Sequence, residues 1–527
     1  MHFKKKSILF ILCLLSQSLI SQIDTITNFR GAEDGIPLLN SQELIEFNGQ
    51  LIFRGFLMEE ATLIKYDETQ AEFIQLLDSA NTMIIEPDDF ILFDDFFVFA
   101  GMDINGEEGL YRSNGFSSGT YRIVPDRIFG IQCMTRIDDK IYFKGLRNGF
   151  QSELMISDGT AEGTKTLVDS SLMNFTFPCN FLAFKDHVYF SASTETSGFE
   201  LFRSNGTSDS TFIVKDIFEG TGNGFTGSAF IFKDQIFLAA NDGVQGNELW
   251  ISDGTTEGTR LLKDINVGTS NSFPSLLNII DNQFYFTANA QAYGIEIWRS
   301  DGTAEGTELF SDIRQGNIGS SPTYFESFGD GFIAYANARN EGFELHLVNA
   351  EGGASLIKDI NAGRAGSSSF AFFNVNDLIY FDATDNVYGK ELWVSDGTNA
   401  GTIMLSDLYS GPESSSPEIL LFNEKGFYFS AILEGMGREL LFYNFNTNSL
   451  NGNRNSISLN VYPNPTSTYL NIESDNIFIK ASIYDLSGRF INSFHTSKIS
   501  IDNLPNGSYL IKIDFENQTV LKTFIKL

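Results

Sequence analysis

A glutamate recurs at the start of one short motif along this chain, and it is the most regularly placed carboxylate in the sequence. Its seven copies precede a Leu or Ile: Glu153, Glu200, Glu248, Glu296, Glu344, Glu391 and Glu439. In a functional interpretation, they are a row of acidic ligands for sugars or cations. In a structural one, each carboxylate accepts backbone N–H bonds from an adjacent turn. Seven equivalent copies favour structure, because an active site needs an asymmetric set of residues.

The three tryptophans share the position two residues after this glutamate. They are Trp250, Trp298 and Trp393, and other copies carry Tyr111, Met155, Phe202, His346 or Leu441 there. Aromatic rings at regular intervals suggest platforms for stacking sugars. Mostly ordinary apolar residues replace them, however, so we expect side chains that pack between neighbouring elements.

An Asp-Gly pair follows within a Ser-Asp-Gly-Thr motif. Its copies are Asp158 and Gly159, Asp253 and Gly254, Asp301 and Gly302, and Asp396 and Gly397. Asp-Gly supplies the positive φ of a tight turn, and the hydroxyls can satisfy backbone groups at the bend. The motif resembles the Asp-box of sialidase-type propellers. Its Ser-Asp-Gly spacing differs from that family's, so no sialidase site is carried over.

Polar links between repeats are the candidate metal sites. The links that begin at Asp264 and Asp359 carry oxygen-bearing side chains at alternate positions, a pattern that can bind calcium. Ile265 and Ile360 interrupt the pattern, and capped turns explain the aspartates equally well. We therefore predict no cofactor and no metal, with calcium in the links as the alternative.

Catalytic motifs are scarce. The histidines beyond the N-terminal segment are His187, His346 and His495, without Cys-His or His-rich metal spacing, and no G-x-S-x-G or phosphate loop occurs. We predict no catalytic residues. A pair of carboxylates that hydrolyses glycosides remains an alternative, because the distance between two carboxylates depends on the fold and cannot be read from the sequence.

The elements that position these residues repeat nine times. One apolar position recurs with a mean period of about 47 residues, which is typical of propellers and solenoids; it falls at Leu63, Leu110, Leu154, Leu201, Leu249, Ile297, Leu345, Leu392 and Leu440. Each unit contains four short apolar or alternating runs, as in residues 274–313, and four strands make a propeller blade. The sequence predicts an all-β fold: a β-propeller of four-stranded blades over residues 23–446, with about nine blades or else eight, followed by a small β-sandwich.

The two ends of the repeat array complement each other. The ninth unit, residues 417–446, has three runs, and Thr25–Pro37 matches the outer-strand segment Leu261–Pro274. We therefore expect the beginning of the chain to pair with the end of the array and seal one ring.

The chain begins with an export signal. Residues 1–22 place Lys4, Lys5 and Lys6 before a short apolar run, as in a secretory signal peptide. No later stretch approaches eighteen apolar residues, so no transmembrane segment is expected. A formal net charge of −32 makes nucleic acid and anionic membranes poor partners.

Two cysteines remain after the signal peptide, Cys133 and Cys179, in adjacent units. They form either a disulfide between neighbouring blades or two separately buried thiols. Spacing leaves both open, because a small offset moves the sulfurs out of bonding reach.

The last residues have a different pattern. An Asn-rich linker, residues 447–457, leads to a compact β domain, residues 458–527, with Pro-Asn-Pro, Ser-Gly and Asn-Gly turns. Its motifs resemble the C-terminal sorting domain of type IX secretion cargo, and the residues that carry the resemblance include Pro463, Asn464, Pro465, Asp485, Gly488, Arg489, Pro505, Gly507 and Lys526. The resemblance implies a Bacteroidota-type exporter as partner, removal of the domain, and release or attachment at the cell surface.

The repeat resembles the E-L-W-x-x-D-G-T repeat family of secreted bacterial proteins, which implies no established activity. Our functional expectation is a secreted or cell-surface propeller that acts as a binding or adhesion module for glycans, matrix or other surface proteins. The alternatives are an extracellular carbohydrate-active hydrolase and a purely structural surface-layer component.

Overall fold

The computed structural model describes most of the chain between residues 23 and 526. The described residues are 23–27, 36, 43–57, 60–67, 72–147, 152–168, 175–280, 282–367, 372–375, 378–445, 459–463, 466–474, 478–485, 490–505, 507–515 and 518–526. The predicted signal peptide and linker lie outside these residues.

Up to residue 445 the described residues form nine antiparallel units of four strands each. In chain order the strands are β1 (Ile23–Thr25), β2 (Leu44–Phe47), β3 (Gln50–Leu57), β4 (Glu60–Asp67), β5 (Glu72–Gln75), β6 (Ile84–Leu92), β7 (Phe97–Asp103), β8 (Glu108–Ser113), β9 (Tyr121–Arg122), β10 (Phe129–Ile137), β11 (Lys140–Leu146), β12 (Glu153–Ser157), β13 (Lys165–Thr166), β14 (Thr176–Phe184), β15 (His187–Ser193), β16 (Glu200–Ser204), β17 (Phe212–Lys215), β18 (Phe225–Phe232), β19 (Gln235–Asn241), β20 (Asn247–Ser252), β21 (Arg260–Lys263), β22 (Ser275–Ile280), β23 (Gln283–Ala290), β24 (Gly294–Ser300), β25 (Glu308–Ser311), β26 (Thr323–Phe328), β27 (Gly331–Asn337), β28 (Phe343–Val348), β29 (Ala354–Leu356), β30 (Phe372–Val375), β31 (Leu378–Asp385), β32 (Gly389–Ser395), β33 (Ile403–Ser406), β34 (Glu418–Phe422), β35 (Gly426–Leu433) and β36 (Gly437–Asn444). Units 1 to 8 take four consecutive strands each from β2 to β33, and unit 9 combines β34, β35 and β36 with β1. Units 1 and 2 also share one bridge, between Thr62 and Ile85. Two single-turn 3-10 helices, Ser117–Gly119 and Ser208–Ser210, lie between third and fourth strands.

The middle strands of each unit are buried on both faces. In β19 the five residues from Ile236 to Ala240 are all buried, and in β27 the same is true from Phe332 to Ala336. These strands therefore read as continuous apolar runs, because a sheet covered on both sides has no polar face. Apolar clusters join each unit to the next, so the core lies between sheets.

Antiparallel order gives the units two distinct ends. The hairpins between first and second strands and the Ser-Asp-Gly-Thr loops lie at one end, which we call the Asp-Gly face. The hairpins between second and third strands and the links to the next unit lie at the other, which we call the link face. Both assignments follow from strand direction alone.

The first and last units close the array. Strand β1 pairs with β36, with Thr25 opposite Leu441. The backbone N–H of Leu440 donates to Thr27 Oγ1 at 2.8 Å, and Thr27 Oγ1 donates to Glu439. Phe53 of unit 1 belongs to one apolar cluster with residues of unit 9. Strand β1 thus supplies the fourth strand of unit 9; it includes Thr25 of the matched segment Thr25–Pro37, most of which lies outside the described residues.

Cys133 and Cys179 form a disulfide with a Cα–Cα distance of 5.5 Å. Cys133 lies in β10 and Cys179 in β14, which are the first strands of units 3 and 4. The bridge therefore ties two neighbouring units together at their first strands.

A separate two-sheet β domain follows at the C-terminus. Its strands are β37 (Leu459–Tyr462), β38 (Tyr469–Ser474), β39 (Phe478–Asp485), β40 (Phe490–Phe494), β41 (Lys498–Ser500), β42 (Gly507–Phe515) and β43 (Gln518–Lys526). They form a three-stranded sheet in the order β37-β38-β41 and a four-stranded sheet in the order β40-β39-β42-β43. Leu470 and Ile499 from the first sheet pack with Ile483 and Ile511 from the second.

Candidate functional site

The repeated glutamates hold the links on the link face. Glu248 is fully buried at the start of β20, and its carboxylate accepts hydrogen bonds from the backbone N–H groups of Ile265 at 2.7 Å and Ser272 at 3.0 Å. These donors lie at the two ends of the link between units 5 and 6. The carboxylate therefore clamps the link, as the structural interpretation of the glutamate describes.

The same arrangement recurs in other units. Glu296 accepts from the N–H groups of Ile313 at 3.1 Å, Arg314 at 3.0 Å and Ser320 at 2.8 Å. Glu391 accepts from the N–H groups of Leu408 and Ser415, both at 3.0 Å. Neither carboxylate is exposed to solvent.

Burial also sets the protonation of these groups. Desolvation raises the pKa of Glu200, Glu248, Glu296 and Glu344 to about 7, although hydrogen bonds to the links lower it. Burial raises the pKa of Glu391 as well. Glu153 differs, because it is only half-buried and accepts from the Thr166 hydroxyl.

A glycine two residues before the glutamate brings the hairpin against the link, a feature that sequence reasoning missed. A Cβ at Gly246 (φ +74°) would collide with the Ser270 carbonyl, and one at Gly294 (φ +69°) would collide with the Ile318–Gly319 backbone. The signal was visible as a repeated Gly-x-Glu. Its function was hidden because the partner lies more than twenty residues away.

The tryptophans pack between units. Trp250, Trp298 and Trp393 are all buried, each in a cluster shared by two neighbouring units. Lys215 and Lys358 place their ammonium groups 5.7 Å and 5.5 Å from the ring centroids of Trp250 and Trp393. These rings are therefore closed to a ligand in the folded chain.

The Asp-Gly motif builds a stable loop on the Asp-Gly face. Asp253 Oδ1 accepts from Thr255 N–H at 2.9 Å and from its hydroxyl at 2.7 Å, and these bonds lower the pKa of Asp253. Gly254 has φ +91°, and Ser252 Oγ lies 2.7 Å from Thr259 Oγ1. The other copies repeat this geometry: Asp158 with Gly159, Asp301 with Gly302, and Asp396 with Gly397.

Cations from one unit hold the Asp-Gly loop of the next, which sequence reasoning also missed. Lys215 Nζ donates to the Thr259 carbonyl at 2.7 Å, and Lys263 Nζ donates to the Thr307 carbonyl at 2.6 Å. Arg203 donates to the Gly254 carbonyl at 3.0 Å. These bonds add polar contacts between sheets to the apolar packing.

The links considered for calcium are capped turns. Asp264 Oδ2 accepts from Gly268 N–H at 3.2 Å, and Asp359 Oδ2 accepts from Gly363 N–H at 3.3 Å. Asp264 Oδ1 finds no hydrogen-bond partner among the described residues. Within that same part of the chain, no three His, Cys, Asp or Glu side chains cluster closely enough to hold a metal ion.

Large apolar side chains are exposed in the loops of the link face. Among the described residues of its hairpins and links they are Ile104, Val244, Val267, Phe273, Tyr293, Ile318, Val387 and Tyr388. In the described loops of the Asp-Gly face only Phe116 is comparable. The link face is therefore the more apolar end of the array.

The sorting-signal residues lie in the C-terminal domain. Pro463 follows β37 at the edge of a groove that is also lined by Tyr469 and Lys498. The Pro505 carbonyl accepts from the Tyr509 hydroxyl at 2.6 Å, and Gly507 pairs with Lys526 across β42 and β43. Asp485 ends β39, whereas Asn464, Pro465, Gly488 and Arg489 lie outside the described residues.

Residues 460–527 match the family of secretion system C-terminal sorting domains. The match supports export through the type IX secretion system, and it implies a secreted or cell-surface protein. Over the described part of the chain, no helix has the length and apolar character needed to cross a membrane.

No curated protein shows significant similarity to the chain. Among solved structures, PorZ, an essential bacterial surface component of the type IX secretion system of Porphyromonas gingivalis, is 13% identical with a TM-score of 0.27, covering 92% of this chain and 75% of PorZ. Prolyl oligopeptidase B from Galerina marginata is 12% identical with a TM-score of 0.35, covering 67% of this chain and 56% of that enzyme. A puromycin hydrolase is 11% identical with a TM-score of 0.34, covering 66% and 58%. The chain thus matches little more than half the length of these two enzymes, and TM-scores this low assign no function.

Proposed function

We propose that the nine units are the blades of one β-propeller, and that this secreted or cell-surface ring binds glycans or surface proteins through its link face. The observation that carries the proposal is the set of exposed apolar and aromatic side chains in the loops of that face. Exposed apolar groups concentrated at one end of a protein mark interaction surfaces.

The loops of the link face suit recognition because their backbones are fixed. Glu248 and Glu296 clamp the links, and Gly246 and Gly294 seat the hairpins against them. A loop held in this way loses little conformational entropy on binding. Tyr293 and Tyr388, at 37% and 39% exposure, present aromatic rings with a polar hydroxyl, which suits partly polar ligands.

The test is a binding screen of the purified chain against surface polysaccharides and outer-membrane extracts, followed by variants of the link face. We expect saturable binding that falls about tenfold or more in the Tyr293→Ala/Tyr388→Ala variant, because each change removes an aromatic contact. Phe116→Ala, on the Asp-Gly face, is the matched control and should bind as wild type does. Binding that depends on Phe116 and not on the two tyrosines would refute the proposed face. Release of reducing sugar during the screen would support the hydrolase instead.

A further inference from the structure

One outer face of the C-terminal domain is buried although it does not belong to that domain's own core. In β39, Ala481 and Ile483 point into the sandwich, and the alternate residues Lys480, Ser482 and Tyr484 point away from it. Ser482 and Tyr484 are nevertheless only 2% and 6% exposed. In β42 the same holds for Leu510 and Lys512, at 3% and 4%. We call Lys480, Ser482, Tyr484, Leu510 and Lys512 the tail face.

The repeat array covers the tail face. Tyr484 and Leu510 belong to the same apolar cluster as Phe325 and Val375, which lie in the first strands of units 7 and 8. Lys480 Nζ donates to Ser327 Oγ at 3.0 Å, and Lys512 Nζ lies 3.5 Å from Asn374 Oδ1. A lysine is almost never fully buried unless it has a partner, so the Lys512 site is a specific contact.

Glu326 lies beside these contacts and breaks the symmetry of the repeats. It follows Phe325 in β26 opposite Ile333, and the residues at the corresponding place in units 4, 5, 6, 8 and 9 are Leu182, Phe230, Asn278, Phe373 and Leu421. None of these is acidic. Glu326 is 9% exposed, and its Oε2 finds no hydrogen-bond partner among the described residues.

Charge explains how a buried carboxylate is tolerated there. Burial raises the pKa of Glu326 to about 7, while the ammonium groups of Lys512 and Lys480 lower it. Both lysines therefore interact electrostatically with the carboxylate. A buried carboxylate without such compensation would destabilise the fold.

We propose that Glu326, Ser327 and Asn374 form a binding site for two alkylammonium groups, and that the C-terminal domain fills it with Lys480 and Lys512. The domain is then held on the array by these contacts as well as by the chain connection. It stays bound after the linker is cut.

The experiment uses the full chain with a site-specific protease sequence inserted within residues 447–457. The protein is cut at pH 8, where the Glu326 carboxyl is largely ionised, and is analysed by gel filtration over a dilution series. We expect the wild-type C-terminal fragment to elute with the array. In Lys480→Met/Lys512→Met the dissociation constant should rise by about tenfold or more, because the buried carboxylate loses its cations.

The matched control is Lys498→Met, which removes one lysine that lies over Tyr469 within the C-terminal domain. The C-terminal fragment of this variant should stay bound to the array as tightly as the wild-type fragment does. In an otherwise wild-type chain, Glu326→Gln should weaken binding of the C-terminal fragment to the array. Added to the double lysine variant, the same change should partly restore binding, because the uncompensated charge of the carboxylate is then absent. Tryptophan fluorescence reports folding of the array separately, since all three tryptophans lie within it.

Two results would overturn the proposal. One is a wild-type fragment that separates at once at micromolar concentration. The other is a double lysine variant retained as tightly as wild type, which would leave the apolar contacts of Tyr484 and Leu510 as the attachment.

Discussion

At the residue scale, the most repeated carboxylate serves the backbone. Glu248 and Glu296 are removed from water, and each satisfies link N–H groups that would otherwise be buried without partners. Removing such an acceptor costs more than an average hydrogen bond contributes, because the donors cannot regain water. A polar residue thus recurs inside an apolar array for a structural reason.

We predict that the Glu248 carboxyl makes stability depend on pH. Its folded pKa, about 7, lies above the ordinary value of 4.5. The contribution of the Glu248 carboxyl to the free energy of unfolding is therefore fully present below about pH 4.5 and is lost as the pH rises through 7. Between pH 5 and pH 8, the free energy of unfolding of wild type should fall relative to Glu248→Gln, on the order of 1–2 kcal/mol. Urea unfolding followed by tryptophan fluorescence measures this.

The control for that measurement is Glu257→Gln, an exposed glutamate in the same unit. Its pH profile should parallel that of wild type. If the pH profile of the free energy of unfolding is also parallel to wild type in Glu248→Gln, the prediction of a raised pKa for Glu248 is wrong.

At the element scale, the hairpin and the link of one unit act as a single structure. The hairpin glycine allows the close approach, and the glutamate two residues later holds the link in place. Residues distant in sequence are thereby fixed at the same end of a sheet. The binding role proposed for the link face relies on loops that are held in this way.

We predict that Gly246→Ala lowers the free energy of unfolding more than Gly268→Ala does. Both glycines have positive φ, +74° and +97°, so both variants suffer backbone strain of about 1–2 kcal/mol. Only at Gly246 would the new Cβ meet a carbonyl, whereas Gly268 has nothing within 4 Å. We expect about 1–3 kcal/mol of additional loss at Gly246. Equal losses in urea unfolding would contradict the close hairpin contact.

The links provide a second prediction at this scale. Asp264 and Asp359 accept hydrogen bonds from Gly268 and Gly363 within their own turns, which is the capped-turn alternative to a calcium site. We expect the midpoint of thermal unfolding to be the same with and without a chelator. A lower midpoint that added calcium restores would instead establish the metal alternative.

At the scale of the whole molecule, the C-terminal domain has a core of its own, and one of its faces also shares an apolar cluster with the array. The pairing of β1 with β36 completes the four-stranded sheet of unit 9 and joins the two ends of the array. The C-terminal domain matches a sorting family, whereas the array does not identify an activity.

We predict that deleting residues 458–527 prevents the protein from reaching the cell exterior. The predicted signal peptide would still be present to direct the first export step, while the sorting domain that supports the second would be gone. Fractionation of producing cells with an antibody against the array measures the outcome. Fusing residues 458–527 to a reporter is the complementary control, and a deleted chain found in the medium would disprove the role of the tail.

The sequence was sufficient to predict features that depend on residues close to one another in the chain. The period of the apolar position, the four runs per unit and the Asp-Gly turns predicted an all-β array, because strand and turn preferences act over a few residues. The motifs around Pro463 and Gly507 likewise predicted the sorting domain that the family match supports. Sequence spacing left the pairing of Cys133 with Cys179 open, since that depends on how two neighbouring sheets are offset.

What only the tertiary structure decided concerns residues brought together from distant parts of the chain. Glu326 was one acidic residue among many until the fold placed it beside Lys480 and Lys512, more than 150 residues later. The lysines that hold the next unit's loop, and the partners of the glycines that seat the hairpins, were likewise identified only in the folded chain. Local patterns specify which segments become strands, whereas a buried charge acquires its meaning only from the partners that packing places around it.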